Sequence, residues 1–194
     1  MDISNKLEIA KKFIETSKKN LCFIVADSLV SQCIAEDMKD SYQVVDLAED
    51  FTPFKPFLNL LSKGNLPEKN VREKTYSIQT ESFVSFFKTG MADERYDIPI
   101  DNEELYELDQ YVKSIVELFK ELPVKNYIFT NVQNIFSDSF AVIKELENHE
   151  LASKFVFCFN SDVTNPSVEV LDFLEKNTES ENFLYLQVQT ARAN

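Results

Sequence analysis

The sequence predicts an α/β fold of three layers, with a five-stranded, mainly parallel sheet between helices. Three observations carry this. The runs Leu21-Cys22-Phe23-Ile24-Val25-Ala26 and Phe155-Val156-Phe157-Cys158-Phe159 are apolar throughout and of strand length, as strands covered on both faces are. Strand-like runs alternate with stretches of helical periodicity, which is the order of parallel strands joined by crossover helices. Finally, 194 residues at 44% hydrophobic content, including 17 Phe, suffice for one domain with a substantial core and are too few to require two.

Taken in order, Ile3, Leu7, Ala10 and Ile14 share one face of an amphipathic helix that precedes the first strand. Leu21 to Ala26 is that strand. A helix follows from Ser28 or Leu29 to Met38, with Leu29, Cys33 and Ile34 inward. Residues 42–47, with the β-branched pair Val44 and Val45, form the second strand. The pattern then changes over 48–122, which reads as a helical insertion or lid. Pro53 and Pro56 bracket Phe51, Phe54 and Phe57, Gly64 suits a helix C-terminus, and 78–88 reads as a helix. Asp101 and Glu104 form a capping box ahead of a helix whose Leu105, Leu108, Val112, Ile115, Phe119 and Leu122 make one apolar seam. That seam is read as core-facing, because fewer than three heptads is short for a coiled coil. The third strand is 124–129, reaching Thr130-Asn131. Phe140, Ile143, Leu146 and Leu151 mark a helix, 155–159 the fourth strand, Asn165-Pro166 the cap of a helix carrying Val170, Leu171 and Leu174, and 183–188 the fifth strand. Residues 190–194 read as frayed.

A net charge of −13 opposes phosphate backbones and anionic headgroups, so no direct nucleic acid and no membrane is expected as a partner. No run reaches the ~18 apolar residues of a span and the N-terminus lacks a signal peptide's apolar centre, so a cytoplasmic location is expected. Cys22, Cys33 and Cys158 show no metal-binding spacing and read as reduced thiols. His149, the one histidine, reads as solvated.

The strand-to-helix junction after the first strand carries a spacing of interest. Laid on the phosphate-loop pattern G-x-x-x-x-G-K-[ST], Ala26, Ser31, Gln32 and Cys33 fall at the four defining positions, and all four are the wrong residue. Asp27, Asp46, Asp50 and Asp162 lie near C-terminal strand ends, where sites of α/β proteins form. They could bind a cation; they are read as solvated loop acids and helix caps, since no histidine or second motif converges on them. Ser28 and Ser31 lack the glycine flanks of a hydrolase nucleophile.

The five strands, this spacing, and the polar pair after the third strand together resemble the AAA-like and STAND-type P-loop NTPase domains found beside bacterial adenylate cyclases and in large transcriptional activators. Phe51-Thr52-Pro53-Phe54-Lys55-Pro56-Phe57-Leu58 is similar to the segment that follows their second strand. The resemblance covers most of the chain and implies a sheet of P-loop type, with the strands in the order fifth, first, fourth, third, second. It puts Thr130 and Asn131, followed by Val132-Gln133, at the Walker B position and Asn160 at that of a polar sensor.

The departures decide the expected chemistry. A phosphate loop needs glycines to converge its N–H groups, a lysine for charge and a hydroxyl for magnesium. The chain has two glycines, neither near the junction, and Thr130-Asn131 supplies no carboxylate. The loop is therefore expected to collapse toward the sheet or to start its helix early. The expectation is a single degenerate NTPase-like domain over 1–194, on its own or as the N-terminal part of a longer protein. It would have no catalytic residues, no metal and no cofactor, and would bind a protein partner or further domains of its own chain. The alternatives are weak nucleotide binding without hydrolysis, and a stator-like subunit of an AAA-type assembly.

Overall fold

The first strand, β1 (Leu21–Ala26), is buried along its whole length, and the sheet is built outward from it. Every one of its side chains leaves water, worth about 1.5–3 kcal/mol for each large apolar group. In the computed structural model, which describes residues 2–48, 54–64, 66, 102–135, 137–162 and 166–186, four further strands join it: β2 (Gln43–Asp46), β3 (Tyr127–Thr130), β4 (Phe155–Asn160) and β5 (Phe183–Tyr185). The order is β2-β3-β4-β1-β5 and each neighbouring pair is parallel. The sheet is thus parallel throughout, in the strand order expected above. The β1–β4 register runs from Leu21 opposite Phe155 to Ala26 opposite Asn160.

The chain divides into two compact units. The first comprises Met1–Glu49, Lys125–Ile135 and Ser153–Asn194 and contains the sheet. Strand alternation gives the sheet two different faces. On one, Cys22, Ile24, Ala26, Ile128, Val156 and Cys158 meet Ala10 and Ile14 of α1 (Ile3–Thr16) and Val30, Ile34 and Ala35 of α2 (Ser28–Met38). The other is aromatic. Phe23 stacks on Phe157 at 5.5 Å and on Phe183 at 4.5 Å, and meets Phe173 edge-on at 5.3 Å. Phe173 belongs to the helix Val168–Lys176, so helices cover both faces of this unit. The carbonyls at the end of α1 are capped by the Lys154 ammonium, which donates to Ile14 O at 2.6 Å and to Ser17 O at 3.3 Å.

The second unit comprises Asp50–Val124 and Phe136–Ala152. Its described helices are α3 (Lys55–Lys63), α4 (Asn102–Glu121) and α5 (Ser137–Leu146), which pack on one another; the helix Val168–Lys176 is accordingly α6. The α5 helix, read from sequence as part of the strand alternation, groups here with the 50–124 stretch. Val112, Ile115, Phe119 and Leu122 are buried as the seam requires, and so are Tyr111, Val116 and Leu118, which widen it into a broad core face. Phe57 meets Phe119 edge-on at 6.0 Å. Phe54, at φ 60°, donates its N–H to Ser139 Oγ at 2.7 Å. Gly64 follows α3, and a Cβ there would lie 2.1 Å from Leu122 Cδ2, a close approach that glycine permits.

Several local expectations change. Ile3 and Leu29 are exposed, and Lys6 and Val30 take the inward places. Periodicity could not separate Leu29 from Val30, since both are apolar and adjacent. Cys33 is half-buried. Ser167, not Asn165, caps α6 by accepting the Val170 N–H at 3.2 Å, and Leu171 is exposed where Phe173 is buried. Leu151 is buried beyond the end of α5. Asp50, Phe51, the 78–88 helix, Asp101, Asn165 and residues beyond 186 lie outside the described residues. Among the described residues no helix is long and apolar enough to cross a membrane.

The aromatic face concentrates on Phe23, which touches rings from β4, β5 and α6. Phe23→Ala is expected to cost about 3–5 kcal/mol, the range for removing a buried Phe. Urea unfolding followed by circular dichroism measures this, and a loss under 1 kcal/mol would show that the face is not the core of its unit.

Candidate functional site

A site in a parallel sheet forms where neighbouring strands send their following helices to opposite faces. Here these strands are β1 and β4, since α2 covers the apolar face with Cys22 and Ile24 while α6 covers the aromatic face. Their last rung pairs Ala26 with Asn160, and Ser161 N–H donates to Ala26 O at 2.7 Å. The residues that follow the two strands are thereby held side by side.

One residue, Asp27, separates β1 from α2. It is the helix cap: Asp27 Oδ1 accepts the Val30 N–H at 2.9 Å. Its other oxygen accepts from the Lys6 ammonium at 2.8 Å, and Lys6 is buried. The Lys6 hydrogen bond, seconded by that of Val30, holds the Asp27 carboxyl below the usual aspartate range. Asp162 reaches across from the end of β4. It accepts the Ser28 N–H at 2.9 Å and the Ser28 hydroxyl at 2.6 Å, and the hydroxyl bond lowers its pKa as well.

The junction therefore has no loop. Helix α2 begins at Ser28, so Ser31, Gln32 and Cys33, the positions aligned with a phosphate loop, sit inside the helix. Ser31 is buried, Gln32 exposed and Cys33 half-buried. A helix start carries free N–H groups and a partial positive charge; here the Ser28 and Val30 N–H groups are already held by carboxylates of the chain itself.

The polar pair after β3 forms a second cluster. Asp46 Oδ1 accepts from Asn131 Nδ2 at 2.6 Å, from Thr130 Oγ1 at 3.2 Å and from the Ala48 N–H at 3.0 Å. Asn160 Nδ2 donates to Asn131 Oδ1 at 2.6 Å, and the Asn160 N–H donates to Gln133 Oε1 at 2.9 Å. Thr130, Asn131 and Asn160, singled out from the sequence, thus meet in one network with Asp46; Gln32 and Cys33 take no part in it. Sequence reasoning placed Asp27, Asp46 and Asp162 at strand ends, but not their bonds. It missed Lys6, which carries no signal beyond its helical spacing to Ala10, and the role of Gln133.

Other candidates resolve simply. Cys22 and Cys158 are buried free thiols, and burial pushes Cys158 up to about 12. His149 is half-buried, with Nε2 2.9 Å from Glu145 Oε1. Among the described residues no three His, Cys, Asp or Glu side chains come together to hold a metal ion.

The Lys6–Asp27 pair joins the two helices on one face of the sheet. Asp27→Asn leaves the buried Lys6 charge without its counter-ion and weakens the cap, so a loss of about 2–4 kcal/mol is expected, reduced from a fully buried pair by the partial exposure of Asp27. Lys6→Met leaves an aspartate that water reaches, and about 1 kcal/mol or less is expected. Because the folded-state values of Asp27 and Asp162 are depressed, their contribution is full above the ordinary aspartate pKa of about 4 and is lost as pH falls through the lower folded values. Unfolding midpoints measured from pH 7 to pH 2 should show this acid loss diminished in an Asp27→Asn, Asp162→Asn double variant; an unchanged profile would assign the acid sensitivity elsewhere. Neither a protein-family model nor a curated protein sequence matches this chain.

Proposed function

We propose that this chain is a P-loop NTPase-like domain of the AAA or STAND kind that has no catalytic activity and acts as a binding or regulatory module, contacting a protein partner or further domains of its own chain. The strand order β5-β1-β4-β3-β2 supports the resemblance in fold, which by itself assigns no chemistry. The observation that carries the functional reading is the junction after β1, where Asp27 and Asp162 occupy the start of α2.

Magnitudes decide against phosphate there. A helix start favours an anion by about 0.3–1 kcal/mol, up to about 2 in partly buried geometry. A carboxylate about 4 Å from one phosphate charge opposes it by about 4 kcal/mol at an effective dielectric of 20. Asp27 is neutralised by Lys6; among the described residues Asp162 is held by hydrogen bonds, from Ser28 first, and by no ion pair with a cation, so its repulsion remains. A phosphate would also have to displace Asp162 from those two hydrogen bonds.

The test is a pair of measurements on the purified chain. Calorimetric titration with millimolar magnesium–ATP and magnesium–GTP is expected to give no binding heat, and phosphate release is expected to match the buffer blank. Co-purification of the untagged protein from its own cells should then return a stoichiometric protein partner. Hydrolysis above the blank that a Gln32 substitution abolishes would defeat the proposal.

A further inference from the structure

At the end of β3 the chain turns out of the sheet. Asn131, in the left-handed region at φ 58°, leads into the 3-10 turn Val132–Asn134, and the Asn131 carbonyl is taken by the Asn134 N–H at 3.0 Å. The parallel β3–β4 register, continued by one rung, would have given that carbonyl to the Asn160 N–H. The Gln133 carboxamide replaces it, its Oε1 accepting from the Asn160 N–H at 2.9 Å. A side-chain amide thus stands where a peptide group of the ladder belongs.

The far ends of these two carboxamides are unsatisfied. Gln133 Nε2 and Asn160 Oδ1 have no hydrogen-bond partner among the described residues, and the two residues are only 7% and 8% exposed. A third such atom, Ser31 Oγ, belongs to a residue 1% exposed. It lies on α2, which covers the sheet face to which alternation directs Asn160, Cys158 and Val156. Buried polar atoms without partners are few in folded proteins, and each calls for a cause. A free N–H donor and a free C=O acceptor on adjacent groups ask for a ligand that has both. An anion would use only the donor, and a cation only the acceptor.

We infer that this corner, between the ends of β3 and β4, binds an uncharged cis-amide edge. This is a C=O and an N–H presented on one side, as in the primary carboxamide of an Asn or Gln side chain from a partner, or in the lactam of a nucleobase. The C=O accepts from Gln133 Nε2, and the N–H donates to Asn160 Oδ1. The inference is independent of the reading of the β1–α2 junction, because it concerns different atoms and a neutral ligand.

The test follows the side-chain amide signals of Gln133 and Asn160 in ¹⁵N-labelled protein during titration with acetamide, uracil, acetate and inorganic phosphate. Saturable shifts with acetamide or uracil, and none with the two anions, are expected. Tighter binding of uracil identifies a small-molecule lactam, and binding of acetamide at least as tight identifies a partner's carboxamide side chain. Gln133→Glu keeps the acceptor for the Asn160 N–H and removes the donor, so about tenfold weaker binding is expected, the effect of one lost hydrogen bond. The inference is overturned if the anions shift the signals as strongly or neither amide shifts them. It is equally overturned if Gln133→Glu folds and binds unchanged, or if crystals soaked in acetamide or uracil keep an ordered water bridging Gln133 Nε2 and Asn160 Oδ1.

Discussion

The parallel pairing of β1 with β4, six rungs from Leu21–Phe155 to Ala26–Asn160, is the constraint on which the rest of the sheet unit depends. Both strands are buried over their full length, so their backbone groups have no recourse to water and must pair with one another. The pairing fixes the register, and a slip by one residue would exchange the apolar and aromatic faces. It also fixes the C-terminal edge, since the last rung sets Asp27 beside Ser161 and Asp162. The capping of α2, the Lys6 ion pair and the Asn160 network all follow from where that ladder stops.

What could be read from the sequence followed from burial. Strands covered on both faces must be apolar at every position, which makes β1 and β4 legible as runs; β2, an edge strand, alternates in burial and gives a weaker signal. Helix existence was legible for the same reason, while helix rotation was not. In α2, Leu29 and Val30 are equally apolar, and only packing into the core cluster that also holds Ile24 and Cys158 selects Val30. At α6 both Asn165 and Ser167 are good caps. The grouping of α5 with α3 and α4 depends on contacts between residues far apart in the chain, such as Phe54 with Ser139, which no local period encodes.

The same limit applies to the site. That polar residues interrupt apolar strands at their C-terminal ends is a local signal, and it drew attention to Asp27, Asp46, Thr130, Asn131, Asn160 and Asp162. Their bonding is not local. Ser28 and Asp162 lie 134 residues apart in the chain, and nothing in either neighbourhood names the other. Lys6 shows the converse difficulty: on an amphipathic helix a lysine is assigned to water by default, and only the counter-ion at Asp27 makes its burial tolerable. The motif spacing drew attention to Ser31, Gln32 and Cys33 as one group, but the helix that starts at Ser28 disperses them over its buried and exposed sides.

The C-terminal edge thus has two parts of different character. Beside β1 the carboxylates of Asp27 and Asp162 are ionic and bonded within the chain. Beside β3 they are carboxamides, each using one end for structure: Gln133 Oε1 continues the ladder to Asn160, and Asn160 Nδ2 holds Asn131. An unpaired buried donor or acceptor costs about 1–3 kcal/mol, whereas replacing both members of a polar pair with apolar groups of the same shape can be nearly neutral. A pair whose only role was structural would need the first ends of these amides and not the second. The second ends of Gln133 and Asn160 have no partner inside the described residues, and this sets the corner apart from the ionic part of the edge.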